Sequence, residues 1–514
     1  MNRIIIVIFF LGLVIVGGLI FLSSYPAGYS DPSTEEQIDS VQTLQMTLTS
    51  EVLKMNIDSS LVIGEQFRSG HVKRSDLSDY LTLTDDGYSI DLKHHSLLTS
   101  ATVIGDTIYT SGGFGSKKYF AFGLESGQLI WAIDLDDDGP SPAVQQDSLL
   151  IFNTESCTIF AINRFSGEMV WSYWLGDPLL STPMLAHGNV YTTYPNLTMY
   201  VDSTLSASYQ RIKPRNPFIS INAQNGDINW QKWLDGDVLV SPVAYEGNIF
   251  LTSFPGTVYK IDAKSGDILA AVSLHATSPP TIADGKVFVA KRVEGDTIRE
   301  SIAVLRASDL AFMDEFHAVD APHLDQNIQQ NSDLKSKSMY LDAANGFSAG
   351  APLTANARAA ERNIGQSNVS SFQTFQASTI VYQFAKLFCL KGNTIYRIDA
   401  KEKTTDWTYR IDGDMKKHGG TMATTPLVTE KYVVTVSYTG QLLVLSTEDG
   451  RLLFEKDLKK NVRTAPVISH GLVFVPTTDG QLMCVDTKLP DLDGWGMFMK
   501  NNTHNLSVEK PLES

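Results

Sequence analysis

Between Ser241 and Leu274 short apolar runs alternate with turn residues. "SPVAY" (241–245), "NIFLTS" (248–253), "TVYKID" (257–262) and "DILAAVSL" (267–274) are separated by Glu246-Gly247, Pro255-Gly256 and the stretch Ala263 to Gly266. Runs of this length, rich in β-branched and aromatic residues and bounded by glycine turns, predict four consecutive strands. The i, i+3, i+4, i+7 spacing of an amphipathic helix is absent from them.

The same pattern recurs along the chain. "KIDAKSGDILA" (Lys260 to Ala270) matches "AFGLESGQLIW" (Ala121 to Trp131), "AINRFSGEMVW" (Ala161 to Trp171) and "SINAQNGDINW" (Ser220 to Trp230). Weaker copies are "AVLRASDLAFM" (Ala303 to Met313), "RIDAKEKTTDW" (Arg397 to Trp407), "VLSTEDGRLLF" (Val444 to Phe454) and "CVDTKLPDLDG" (Cys484 to Gly494), which makes eight. Three of the gaps, such as Ala121 to Ala161, are forty residues, a spacing expected of propeller blades. Within the motif, Asn163, Asn222, Asp262 and Asp399 are suited to accept backbone N–H bonds at the entrance to a hairpin. Gly127, Gly167, Gly226, Gly266 and Gly450 stand where a left-handed residue closes the loop. Trp131, Trp171, Trp230 and Trp407 follow in the fourth strand, placed to wedge against the neighbouring sheet. Residues used once per unit are structural glue rather than one chemical site.

A ring of sheets has to close. The last copy lacks a fourth strand, and "GYSIDL" (Gly87 to Leu92) looks like the fourth strands elsewhere, so the N-terminal strand is expected to complete the last blade. Trp495 and Phe498, in the tail "GWGMFMKNNTHN", are expected to pack on the ring.

The pattern A-x-[DN]-x-x-[ST]-G-x-x-x-W resembles the repeat of the pyrroloquinoline-quinone-type β-propeller superfamily, and the chain is most similar to its non-enzymatic, BamB-like members. The resemblance covers Tyr88 to Asn505 apart from two insertions. It implies an all-β fold: an eight-bladed propeller of four-stranded blades. Enzymes of the superfamily carry an adjacent cysteine pair under the quinone, a calcium site and a catalytic Asp. This chain has three cysteines, Cys157, Cys389 and Cys484, none adjacent, and no haem-attachment motif. No catalytic residue is expected, and neither the quinone nor calcium.

The segments outside the repeat suggest where specificity lies. Ile4 to Leu22 is uncharged and long enough to cross a bilayer, as an uncleaved anchor or as part of a cleaved signal in residues 1–30. Arg3 before it and Asp31, Glu35 and Glu36 after it place the bulk of the chain outside the cytoplasm, on the periplasmic face of an inner membrane if the cell has two. No Cys follows the segment, which argues against a lipoprotein. Ile38, Val41, Leu44, Leu48, Val52 and Met55 predict a juxtamembrane amphipathic helix within a segment spanning 31–78. The propeller is expected over 79–505, with insertions at about 195–217 and 320–376, followed by a tail at 506–514. The first insertion holds Tyr200, Tyr209 and the basic trio Arg211, Lys213 and Arg215; the second holds a predicted helix at 353–363. Long excursions from a rigid ring are candidate partner-binding surfaces, or else decoration.

Two short motifs add candidates. "DLDDDG" (Asp134 to Gly139) matches the start of a calcium loop through Asp134, Asp136 and Asp138, but Gln145 stands where the bidentate Glu belongs. An acidic surface turn is the alternative. His418, Gly419 and Gly420 lead into an inner strand and are candidates for a channel mouth, or simply for a polar turn.

The net charge of −16 argues against nucleic acid as a partner. The expected function is a membrane-tethered, extracytoplasmic scaffold for protein–protein interaction. The alternatives are a ligand- or protein-sensing propeller, which would need a separate signalling partner, and a quinone-dependent dehydrogenase.

Overall fold

The computed structural model describes residues 70–113, 115–154, 158–175, 182–194, 216–236, 238–253, 255–293, 296–320, 379–414, 422–494, 499–505 and 507–508. They form eight antiparallel sheets, each the blade of a propeller. Blades 1 to 7 span Thr102–Leu135, Val144–Trp174, Met184–Leu234, Val243–Ser273, Thr281–Asp320, Val381–Arg410 and Leu427–Asp457. Blade 8 takes three strands from Val467–Asp486 and its fourth from Gly87–Asp91, so the chain's two ends close the ring as the repeat pattern requires. The anchor or signal segment, the juxtamembrane helix, Trp495, Phe498 and the helix at 353–363 lie outside the described residues. Among the described residues no helix is long and apolar enough to cross a membrane.

Three blades carry a fifth strand. Val72–Ser75 pairs with the outer edge of blade 1, and Leu81–Thr84 with that of blade 8. Ser507–Val508 pairs parallel to the innermost strand of blade 5. The sheets thus reach into both the linker before the ring and the tail after it.

The motif's turn is built as its residue types dictate. The Asp262 carboxylate accepts N–H bonds from Lys264 (3.0 Å) and Ser265 (2.7 Å), and Asn163 and Asn222 do the same in blades 2 and 3. Gly266 closes the turn at φ +75°, where a side chain costs about 1–2 kcal/mol. A bulge follows in the strand pair, for example between Lys260 and Ile261.

Each motif tryptophan meets the glycine of the next blade. A Cβ on Gly266 would lie 2.5 Å from the Trp230 ring, and Gly167, Gly226 and Gly450 face Trp131, Trp171 and Trp407 in the same way. The indole N–H bonds a carbonyl of that next turn: Trp131 to Arg164 (2.9 Å), Trp171 to Ala223 (2.9 Å), Trp230 to Ala263 (3.1 Å) and Trp407 to Thr447 (3.0 Å). At the ring closure Tyr88 takes the tryptophan's place. It packs on Gly127 and its hydroxyl donates to Leu124 O at 2.5 Å.

Three junctions depart from this rule, one of them between blades 7 and 8, where Phe454 holds the tryptophan position and Pro490 the glycine position of the repeat. Between blades 4 and 5 large and small are exchanged, with Ala270 at the tryptophan position and buried Leu310, at φ +60°, at the glycine position. Between blades 5 and 6 the two positions hold Asp314 and Lys403, which form an ion pair. The register pairs Val304 with Asp314, so the fifth repeat runs from Val304 to Asp314 rather than from Ala303 to Met313. Met313 is half exposed.

Hydroxyl groups join neighbouring blades near the axis. Ser100 donates to Ala465 O (2.9 Å), Thr102 to Ala143 O (2.9 Å), Thr182 to Val240 O (3.1 Å) and Thr464 to Leu98 O (3.0 Å).

Candidate binding face

An up-and-down blade puts its first and third hairpin turns at one end. Its second connection and the crossover to the next blade lie at the other end. The repeated Asn/Asp–Gly turns therefore all lie on one face of the ring, the turn face. The opposite loop face receives the long irregular connections within the ring: the stretch between Thr193 and Asn216, the stretch between Asp320 and Val381, the crossover after Arg410 and the acidic crossover after Leu135. Both insertions and both short motifs thus leave the ring on the same side. Arg211, Lys213, Arg215, His418, Gly419 and Gly420 themselves lie outside the described residues.

The C-terminal chain occupies the other face. After Asp486 it crosses the turns of blades 8 and 7, where Leu492 O accepts from Gly471 N (3.0 Å) and Asp491 accepts from the Tyr432 hydroxyl (2.7 Å). From Asn502 it runs along the innermost strands of four successive blades. Asn502 O accepts from Gln145 N (2.8 Å), Thr503 O from Leu185 N (2.9 Å) and Asn505 Oδ1 from Ala244 N (3.0 Å); Ser507–Val508 then joins Ile282–Ala283. His504 is buried beneath this strap and its Nδ1–H donates to Pro183 O (2.9 Å). Burial pulls its pKa down to about 4, with the Pro183 bond pulling the other way. Sequence reading missed this course, because the strap carries no periodic pattern.

The acidic crossover spreads its side chains apart. Asp134 sits in the fourth strand of blade 1, opposite Lys73 of the added fifth strand, and is ion-paired with Lys118 at 2.8 Å. The Asp136 backbone bonds His71 O (3.1 Å) and accepts Lys117 Nζ (3.1 Å). Asp137 turns inward, is buried, and accepts the Thr154 hydroxyl (2.7 Å) and Asp138 N (2.9 Å). Among the described residues no three His, Cys, Asp or Glu side chains group so as to hold a metal ion. Cys389 and Cys484 are buried in blades 6 and 8.

Other polar groups mark the loop face. Asp235, at the crossover between blades 3 and 4, is half-buried and accepts the Thr257 hydroxyl at 2.7 Å. Burial pushes its carboxyl up, while hydroxyls of Ser253, Thr257 and Tyr259 pull it down. Arg463, which leads into the inner strand of blade 8, stacks on the Tyr438 ring at 4.2 Å. Neither stands out in the sequence, because each lies in a connection outside the repeat.

Known proteins agree with this architecture. The family model described as outer membrane protein assembly factor BamB matches residues 120–232, 216–309 and 374–489. BamB of Yersinia pestis is 21% identical over 216 residues, 38% of this chain and 49% of that protein. Tetrathionate hydrolase of Acidithiobacillus ferrooxidans is 24% identical over 162 residues, 30% of this chain and 31% of that protein. The chain thus spans about half or less of the length of these relatives. The crystal structure of BamB from Moraxella catarrhalis superposes with a TM-score of 0.50 at 10% identity, covering 82% of this chain and 98% of that one. With its blades, its motif and the family match over more than half its length, the chain belongs to the BamB family of PQQ-like-repeat β-propellers.

Proposed function

We propose that the protein is a non-catalytic, extracytoplasmic scaffold that gathers protein partners on its loop face within a membrane-associated complex, envelope or outer-membrane protein assembly among the candidates. The observation that carries this reading is the difference between the two faces. The turn face is repetitive and crossed by the chain's own C-terminal strap, whereas both long insertions within the ring leave from the loop face. Specific recognition requires what the repeat does not supply. The name of the BamB relatives supports an assembly role, and Ile4 to Leu22 supports tethering at a membrane. Arg211, Lys213 and Arg215 are the proposed partner-contacting charges. Crosslinking in native membranes followed by mass spectrometry tests the reading: a specific extracytoplasmic protein is expected, and recovery of none counts against a scaffold.

Catalysis is the second reading, favoured by the likeness to a named hydrolase. Protein purified and supplied with quinone and calcium is expected not to reduce a dye with alcohols or sugars, nor to hydrolyse tetrathionate. Turnover in either assay would replace the scaffold reading.

A further inference from the structure

The junction between blades 5 and 6 is built from charge where most of the others are built around an aromatic ring. On the turn face Asp314 and Lys403 replace the tryptophan and glycine. Deeper in, Glu300 of blade 5 pairs with Lys391 of blade 6, their side chains 5% and 2% exposed, and the Thr277 hydroxyl donates to the same carboxylate. A third polar contact joins the Tyr382 hydroxyl to Asp284 at 2.5 Å. The apolar part of the junction contains several small residues: Ala283 and Ala290 of blade 5 share one core cluster with Cys389 of blade 6 and the stacked pair Phe288 and Tyr382.

We propose that this seam is an electrostatic latch, the place where the ring opens locally while its other junctions stay shut. The physical reason is the difference in what water restores. Separating an indole from its glycine exposes apolar surface and gains nothing in return. Separating a buried ion pair lets water solvate both ions, recovering the desolvation penalty set against their attraction. The outer pair is half exposed and holds weakly. The ring's other discontinuity, between blades 8 and 1, lacks this weakness. There Tyr88 fills the ring position; hydroxyl bonds cross both seams, from Ser100 and Thr464 here and from Thr281 to Ile380 O between blades 5 and 6, so the difference lies in the buried ion pair.

Two buried thiols report on the two seams independently. Cys389 lies in the core between blades 5 and 6, and Cys484 lies opposite Tyr88 between blades 8 and 1. The full-length protein is treated with N-ethylmaleimide under native conditions, and modification is followed site by site by mass spectrometry. Cys389 is expected to react at least about tenfold faster than Cys484. The double variant Asp314→Trp/Lys403→Gly installs the ring–glycine pair of the other junctions, and Glu300→Leu/Lys391→Met makes the inner pair apolar. Each is expected to slow Cys389 about tenfold and to leave Cys484 unchanged. If the buried variant does not fold, the surface variant decides. Equal rates for the two cysteines in the parent protein, or a Cys389 rate that the folded variants leave unmoved, would overturn the proposal.

Discussion

The contact between Trp230 and Gly266 can be measured as a coupling. Trp230→Ala removes a ring that is 9% exposed, together with its bond to Ala263 O; a loss of about 3–5 kcal/mol is expected for such a truncation. Gly266→Ala puts a side chain at φ +75° and a Cβ 2.5 Å from the indole. The left-handed backbone costs about 1–2 kcal/mol and the overpacking about 1–3 kcal/mol. In the double variant the space vacated by the ring receives the new methyl, so the overpacking disappears while the backbone cost remains. The two changes are therefore expected to be non-additive by about 1–3 kcal/mol, the double variant being more stable than the sum of the singles. Urea unfolding of the four proteins, followed by far-ultraviolet circular dichroism, measures the cycle. Additivity within about 0.5 kcal/mol would refute the claim that tryptophan and glycine act as one inter-blade joint.

Other outcomes follow from the same geometry. Tyr88→Phe removes the bond to Leu124 O and is expected to lower stability by about 1 kcal/mol, whereas Tyr88→Ala, which also unplugs the closure, costs about 3–5 kcal/mol; urea midpoints distinguish them. His504 has a folded pKa of about 4, below its unfolded value, so only the unfolded chain takes up the proton as pH falls from 6.5 to 4. Stability is expected to drop across that window by roughly 3 kcal/mol and to level off below it, and a His504→Gln variant should lack this component of the pH profile. Asp399 is held at about 2, first by the Lys386 ammonium and then by turn amides. Its stabilising contribution is present above the unfolded carboxylate range and is lost as pH falls through about 2, so Asp399→Asn should flatten the acid limb of the unfolding curve.

The sequence announces the ring because the ring is repetitive. An alternation of apolar runs and glycine turns, copied eight times in register, leaves little choice of fold, and "YSIDL" beside "WAIDL" shows which strand closes it. The same likeness assigns Tyr88 the tryptophan's role, a step that requires knowing what the tryptophan touches. What stays hidden is the identity of partners across space. Nothing in "RIDAKEKTTDW" says that Lys403 answers Asp314 of the preceding blade, because ion pairing between sheets leaves no periodic trace. The fifth repeat is displaced by one residue because it lacks both anchors of the motif, with Leu310 at the glycine position and Asp314 at the tryptophan position. The strap is invisible for a related reason: Asn502 to Val508 is held by backbone groups and small polar side chains, which almost any sequence supplies.

The scaffold reading rests on the difference between the two faces, and site-resolved photo-crosslinking in native membranes tests it most directly. A photoreactive residue placed at exposed Lys117, Asp412 or Lys459 probes the loop face, and one at Asp106, Lys264 or Glu448 probes the turn face. Adducts to the same extracytoplasmic protein are expected from the loop-face positions and none from the turn-face positions. Adducts confined to the turn face, or none from either, would contradict it.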